Sequence, residues 1–433
     1  MRSLLVALLF ASAWWSAGSG AAPSVVRDLP PGLHVPAAAQ PGPDFDVERA
    51  TAAWLDLLSP EQRVMSDAYF EGEYWLQLWR LLYGLGVMAL LVVTGAARRM
   101  RDAAVRLVRR RNVANVLFAA MFLVSITLLN LPLAIYADFY REHAYGLSNQ
   151  TFAGWLRDGA IGLLFLVVVG APAIALAYAA VRRTREQWWL WATALTFVFV
   201  LVTSIVFPVF FAPLLNDYKP LPPGPVRESV LQLARANSIP TEHLDWYDAS
   251  RQTTRISANV SGVLGFARIN LNDNLLNKTS HPEIHAVLAH EMGHYVMHHT
   301  FQLSVYFTLL AGIAFAVVNA LANRFLARWG SRFGVTDVAD PAGLPIVVAL
   351  LSTVWFLLTP LLNTTTRTIE VEADAFGLNA AREPQAFAMV IMRLSTYRKI
   401  HPGPIEEFVF YDHPSGYQRV RRAMLWQREN MPR

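Results

Sequence analysis

The chain has 433 residues, of which 54% are hydrophobic and only 16% charged, a balance that excludes an ordinary soluble enzyme and points to the bilayer. It has no cysteine, so disulfides, iron–sulfur clusters and Cys-ligated zinc are excluded. The net charge of +5 comes from arginines clustered in short loops between apolar runs, as membrane topology distributes them, so no nucleic-acid partner is expected.

Residues 1–22 combine Arg2, an apolar core from Leu4 to Trp15 and a run of small residues, the pattern of a signal peptide or of a first membrane helix. Residues 23–78 read as an extramembrane linker region, Pro- and Ala-rich, with a short amphipathic helix around Phe45–Leu58. An N-terminal membrane domain of four spans follows at 79–212, with apolar runs near Trp79–Ala97, Val113–Ala137, Gly159–Val181 and Trp188–Phe211. Each is close to the roughly 20 residues a membrane-spanning helix needs. Arg98, Arg99, Arg101, Arg106, Arg109, Arg110 and Arg111 follow the first run, and Arg182, Arg183 and Arg185 separate the last two. Pro132, Pro172 and Pro208 are expected to kink their helices.

A polar catalytic region at 213–300 opens on Pro220, Pro222, Pro223 and Pro225. It contains an amphipathic helix at Val226–Ala236 and an irregular strand pair across Asn259–Leu271. Two further spans occupy 301–364, and the second part of the catalytic region closes the chain at 365–433. The expected fold is mainly α: a polytopic membrane protein of about six to seven transmembrane helices, plus a zincin-like catalytic domain with a small β element.

The chemistry centres on His290, Glu291 and His294, an H-E-x-x-H pattern inside HPEIHAVLAHEMGHYVMHHT. Residues four apart share a helix face, so both imidazoles can hold one metal ion, while Glu291 is placed to take a proton from a metal-bound water. A catalytic zinc needs a third protein ligand. In TRTIEVEADAFGL, Glu370 and Asp374 are four apart on one face and Glu372 points away. Glu370 is assigned as third ligand, and Asp374 as the group that accepts a hydrogen bond from a ligand histidine. A solvated acidic helix face would look similar in spacing. Against it, His294 precedes one span and Glu370 follows the next by about two helical turns, which puts both within roughly 10–12 Å of the same membrane face. His298 is read as a helix-end residue rather than an alternative ligand, and His281 and His285 as structural. Near the C-terminus, His413 and Arg419 suit stabilisation of an oxyanion, although spacing alone does not single them out.

These segments resemble the seven-span zinc endopeptidases of the CAAX prenyl protease 1, or sterile-type, family, from about Leu131 onward. HAVLAHEMGHYVMHH is similar to the family's zinc helix, with His299 on a recurrent histidine, and IEVEADAFG to its third-ligand motif. YGLSNQTFAGWLRD, FPVFFAPLLNDYKPLPPG, SANVSGVLGFARINLNDNLL and DHPSGYQRVRRA extend the likeness. The resemblance implies helices around a water-filled chamber and one Zn2+ per chain. It implies a peptide or protein substrate, possibly lipidated, held by Asn259, with His413 and Arg419 near the scissile carbonyl. The N-terminal region and NVSGVLG depart from the family pattern, which weakens transfer of prenyl-substrate specificity.

The expected activity is that of an integral-membrane zinc metalloendopeptidase. The alternatives are a membrane-protein quality-control protease of the same chemistry and a non-catalytic zinc-binding protein or transporter. Glu291 argues against the last, since a pure binding site has no use for it. Arg-rich short loops stay in the cytoplasm, which places 213–300 and 365–433 on the other side: the periplasm, for a bacterial inner-membrane protein. The resemblance implies the opposite orientation.

Overall fold

The structure, a computed structural model, describes residues 29–241, 243–262 and 267–431. The signal peptide or first membrane helix expected at 1–22 lies outside the described residues.

Helix α1 is Val47–Leu55, capped by Asp46 accepting from the Arg49 N–H, and matches the expected amphipathic helix. Helix α2, Pro60–Val93, starts well before its apolar run at Trp79, because Ser59 and Gln62 form a reciprocal capping box with Pro60 in the first turn. Its polar first turns extend beyond the bilayer: Ser66 Oγ donates to the Ser395 carbonyl at 2.8 Å and Tyr74 OH to Glu406 at 2.9 Å. The arginine block forms α3, Ala96–Leu107, entered through Gly95 at φ 71°. Then come α4 (Arg111–Ala134), α5 (Phe152–Phe165), α6 (Ala171–Thr184) and α7 (Trp188–Val206). The helix widens into a π turn at Ile135–Tyr140, just after Pro132, and at Leu166–Gly170, just before Pro172, where the missing proline N–H frees a carbonyl in the turn before it.

Helix α8 is Pro225–Ala236, α9 His281–Val296, α10 His299–Phe333 and α11 Leu344–Ala381. Helices α12 (Pro384–Leu394) and α13 (Gly416–Asn430) complete the chain. Five continuous helical stretches among the described residues are long and apolar enough to cross a membrane: Pro60–Val93, Arg111–Ala144, Phe152–Ser204, His299–Phe333 and Pro341–Ala381. The third folds back at Arg185, so α6 and α7 lie side by side and make two passes. No more than 28% of any of these apolar windows is buried, and Leu128, Leu176, Leu309 and Leu357 are exposed on them, apolar surface that a bilayer would cover. Helix α11 runs unbroken through Pro360, so the last pass and the acidic motif at 370–374 lie on one helix.

The expected strand pair appears as β3 (Ala258–Ser261) antiparallel to β4 (Arg268–Asn272). Two strands that the sequence pattern does not announce, β1 (Tyr218–Pro220) and β2 (His243–Tyr247), complete a sheet of order β1-β2-β4-β3, with β2 parallel to β4. Ile269 and Leu271 of β4 are fully buried with Leu275, and with Leu288 and Met292 of α9. This core sets the sheet under α9 and leaves β3 as the edge strand beside it.

A second core joins Trp54 of α1 to Met389, Met392 and Met424 of α12 and α13. The region read as a linker is therefore tied down. Buried Arg393 donates to the carbonyls of Leu29, Pro30 and Gly32, and to Glu283 of α9 at 2.5 Å.

Candidate metal centre and active site

Helix α9 begins with a reciprocal cap between Ser280 and Glu283 and ends where exposed His298 takes φ 56°. That left-handed residue separates α9 from α10, and His298 lies outside the cluster described next. Two glycines let α9 and α11 cross in contact. A Cβ on Gly293 would stand 3.3 Å from the Ala373 Cα, and one on Gly377 would stand 3.0 Å from the His290 nitrogen. Gly293, which weakens α9 as an isolated helix, is what allows it to dock.

The crossing brings His290, His294 and Glu370 together, one ligand atom from each within 4.8 Å of the others. His290 Nε2 is 3.2 Å from His294 Nε2 and 3.3 Å from Glu370 Oε2, and His294 Nε2 is 3.5 Å from Glu370 Oε1. A tetrahedral ion with bonds of about 2.0–2.1 Å requires ligand atoms roughly 3.3 Å apart, so these separations fit a shared cation. Glu370 Oε2 is buried and has no hydrogen-bond partner among the described residues. Converging buried acceptors are costly unless a cation lies between them.

Burial opposes charge on His290, yet the Asp374 and Glu370 carboxylates beside it hold its pKa up to about 9. Burial and the neighbouring His290 charge push His294 down to about 4. Burial pushes Glu291 up to about 7 against the attraction of His290.

Each ligand imidazole is oriented through its other nitrogen. His290 Nδ1 is 3.0 Å from Asp374 Oδ1. Asp374 is fully buried and receives Arg419 Nε at 3.0 Å, Arg419 Nη2 at 2.5 Å and Arg422 Nη1 at 3.0 Å. Arg419, expected near the scissile carbonyl, lies on the chamber wall with two of its nitrogens engaged by Asp374. His294 Nδ1 is 3.0 Å from His299 Nδ1, and His299 Nε2 is 3.3 Å from Glu372 Oε2. A carboxylate only accepts, so His299 presents Nε2–H to Glu372 and its Nδ1 lone pair to His294. His294 then keeps its proton on Nδ1 and turns a bare Nε2 toward His290 and Glu370. Glu372 faces away from the ligand cluster, as its register predicts, and still acts on it through His299.

His413 Nε2 is 3.4 Å from Glu370 Oε2, and its Nδ1 is 2.8 Å from Asp412 Oδ1. Arg367 of α11 steadies that segment by donating to the carbonyls of Glu407 and Tyr411. A chamber of about 1080 Å³ opens beside the cluster, with His290, Glu291 and His413 on its wall. Asn259 lies on edge strand β3, its Oδ1 accepting from Asn270 Nδ2 at 2.8 Å. His281 is held by Ser229 at 2.6 Å, away from the centre. Sequence reasoning missed the Glu372–His299 pair, Arg422 and Gly377. Of these only Gly377 left a signal, a small residue in a helix two turns after a ligand.

The family model described as Peptidase family M48 matches residues 220–427, and the one described as CAAX prenyl protease N-terminal, five membrane helices, matches residues 48–217. The chain belongs to peptidase family M48. It is an integral-membrane metalloendopeptidase, and the family match begins well before Leu131, where the sequence resemblance starts. The uncharacterized metalloprotease YhfN of Bacillus subtilis is 29% identical over 344 residues, covering 79% of this chain and 80% of that protein. A CAAX prenyl protease 1 homolog of Oryza sativa subsp. japonica is 29% identical, covering 70% of this chain and 71% of that one. The fold is shared with the crystal structure of S. mikatae Ste24p, with a TM-score of 0.71 over 85% of this chain and 90% of that chain, at 22% identity.

Proposed function

We propose that this M48 peptidase is zinc-dependent, with His290, His294 and Glu370 holding one Zn2+ per chain. The observation that carries the reading is the set of ligand-atom separations, 3.2, 3.3 and 3.5 Å, around a buried oxygen that has no hydrogen-bond partner among the described residues. An all-nitrogen and oxygen donor set suits zinc in a chain without cysteine. When bound, the ion supplies Lewis acidity and lowers the pKa of water. Glu291 takes the proton from the attacking water and delivers it to the leaving amine. His413 donates to the oxyanion that develops on the scissile carbonyl, and Asp374 fixes the orientation of His290. Arg419 acts on substrate from the chamber wall while it neutralises Asp374. Edge strand β3 offers its free backbone groups and Asn259 to an extended peptide.

Relatives named CAAX prenyl protease 1 suggest processing of CAAX-type, lipidated peptides. A quality-control role on unlipidated membrane proteins is the second reading: Glu73, Arg80, Asp138, Glu142 and Arg255 line the chamber wall together with Phe70, Trp155, Phe387 and Leu394, so it offers contacts to polar as well as apolar side chains. Cleavage of matched prenylated and unprenylated peptides by purified protein, with and without chelator, tests both levels. Chelator-insensitive cleavage contradicts the metal reading, and equal turnover of the two peptides contradicts prenyl specificity.

The catalytic half faces away from the cytoplasm, into the periplasm of a bacterium. Supporting this, the arginine loops converge at the far end of the bundle: Arg101 pairs with Asp340, and Arg182 Nη2 donates to Asn112 at 2.8 Å.

A further inference from the structure

At that far end, a second cavity of about 350 Å³ lies between the start of α4, the turn joining α6 and α7, and the loop after α10. Arg111, Arg182 and Arg185 all line it. None of the three makes an ion pair among the described residues. Glu186 and Asp337 share the wall without pairing to them, and Asp337 Oδ1 accepts from the Ala339 N–H at 2.8 Å instead. Arg182 spends Nη2 on Asn112, while its Nη1 is buried and has no hydrogen-bond partner among the described residues. Arg185 sits at φ 46°, a conformation that costs an L-residue energy and collects at ligand sites.

Three guanidinium groups facing one space repel one another, and a buried N–H without an acceptor is a deficit that an anion would remove. Guanidinium pairs best with a planar or tetrahedral oxyanion through paired hydrogen bonds, so phosphate is the matching chemistry. The surroundings choose its source. The cavity lies at the end of membrane-spanning helices, with Trp188 in its wall and Trp191 55% exposed one turn along α7, the level of an aromatic belt. Below it, Leu176 of α6 and Leu190 of α7 are exposed on adjoining outward faces, where acyl chains would run. Basic pockets between membrane helices collect anionic headgroups in this way.

We propose that Arg111, Arg182 and Arg185 form a binding site for the headgroup phosphate of an anionic phospholipid, at the opposite end of the molecule from the metal centre. The test is native mass spectrometry of the full chain released from nanodiscs of phosphatidylglycerol, cardiolipin or phosphatidylcholine. Wild type is expected to retain an anionic lipid in preference to phosphatidylcholine. Arg111→Gln/Arg182→Gln is expected to lose that retention by about tenfold, with metal content unchanged as the check on folding. Arg111→Gln alone, at an exposed residue, is expected to give a partial loss without risk to the fold. Equal retention by wild type and both variants overturns the site. Inorganic phosphate at millimolar concentration should leave the lipid bound; displacement of the lipid by phosphate overturns the lipid assignment in favour of the free ion.

Discussion

Glu370 and Glu372 stand two positions apart on α11 and meet different histidines, one at the ligand cluster and the other at His299. Glu370→Gln is expected to lose the metal, since the carboxylate is proposed as both ligand and counter-charge. Glu372→Gln is expected to keep one metal per chain but bind it about 10–100-fold more weakly, because His299 no longer holds His294 in the ligating tautomer. Chelator competition on the two variants side by side checks this. Loss of metal from Glu372→Gln with retention by Glu370→Gln would shift the ligand register by two residues. The spacing of 290 with 294 and of 370 with 374 made the ligand face legible, because i,i+4 is a rule internal to a helix. The contact of Glu372 with His299 depends on how two helices cross, and no spacing rule carries that. The same limit hid the Arg422 contact with Asp374.

At the scale of elements, the crossing of α9 and α11 positions every proposed ligand, and glycines set its closeness. Gly377→Ala places a Cβ 3.0 Å from the His290 nitrogen and 3.1 Å from its Cα, backbone atoms that cannot rotate away. It is expected to destabilise the protein by about 1–3 kcal/mol and to weaken metal retention in parallel. A thermal melt with metal analysis checks it; unchanged values for both would show that the crossing has slack. Apolar runs fall within the long helices but do not mark their ends, because α2 and α11 continue past them as polar helix. The capping box at Ser59 and Gln62 was the available signal for the true start of α2. Strands β1 and β2 were illegible: YKP is too short to show a pattern, and the brief alternation of HLDWY becomes a strand only by pairing with β4.

Across the whole molecule, the chain divides into an arginine-bearing end and a catalytic end, and residues 29–58 belong to the catalytic end through Arg393, Glu283 and the core around Trp54. Charge asymmetry is legible from the sequence alone, since it depends only on which loops are short and basic. The docking of the N-terminal segment is not, because a Pro- and Ala-rich stretch carries no pattern for a carbonyl clamp by a buried arginine. The orientation is testable in a chain with no native cysteine, using exposed positions at each end, Glu228→Cys and Thr336→Cys. A membrane-impermeant thiol reagent on intact cells is expected to label position 228 and spare 336; the reverse pattern would turn the molecule over.

In the proposed site, metal and chemistry meet at Glu291, which lies beside two proposed ligands, His290 and His294, without being one. The most direct measurement is made on Glu291→Gln, with metal content and peptide cleavage read from the same preparation. The expected result is one metal per chain with hydrolysis reduced by at least about 10²–10⁴-fold, the cost of losing the general base. Cleavage near the wild-type rate with metal bound would contradict the account.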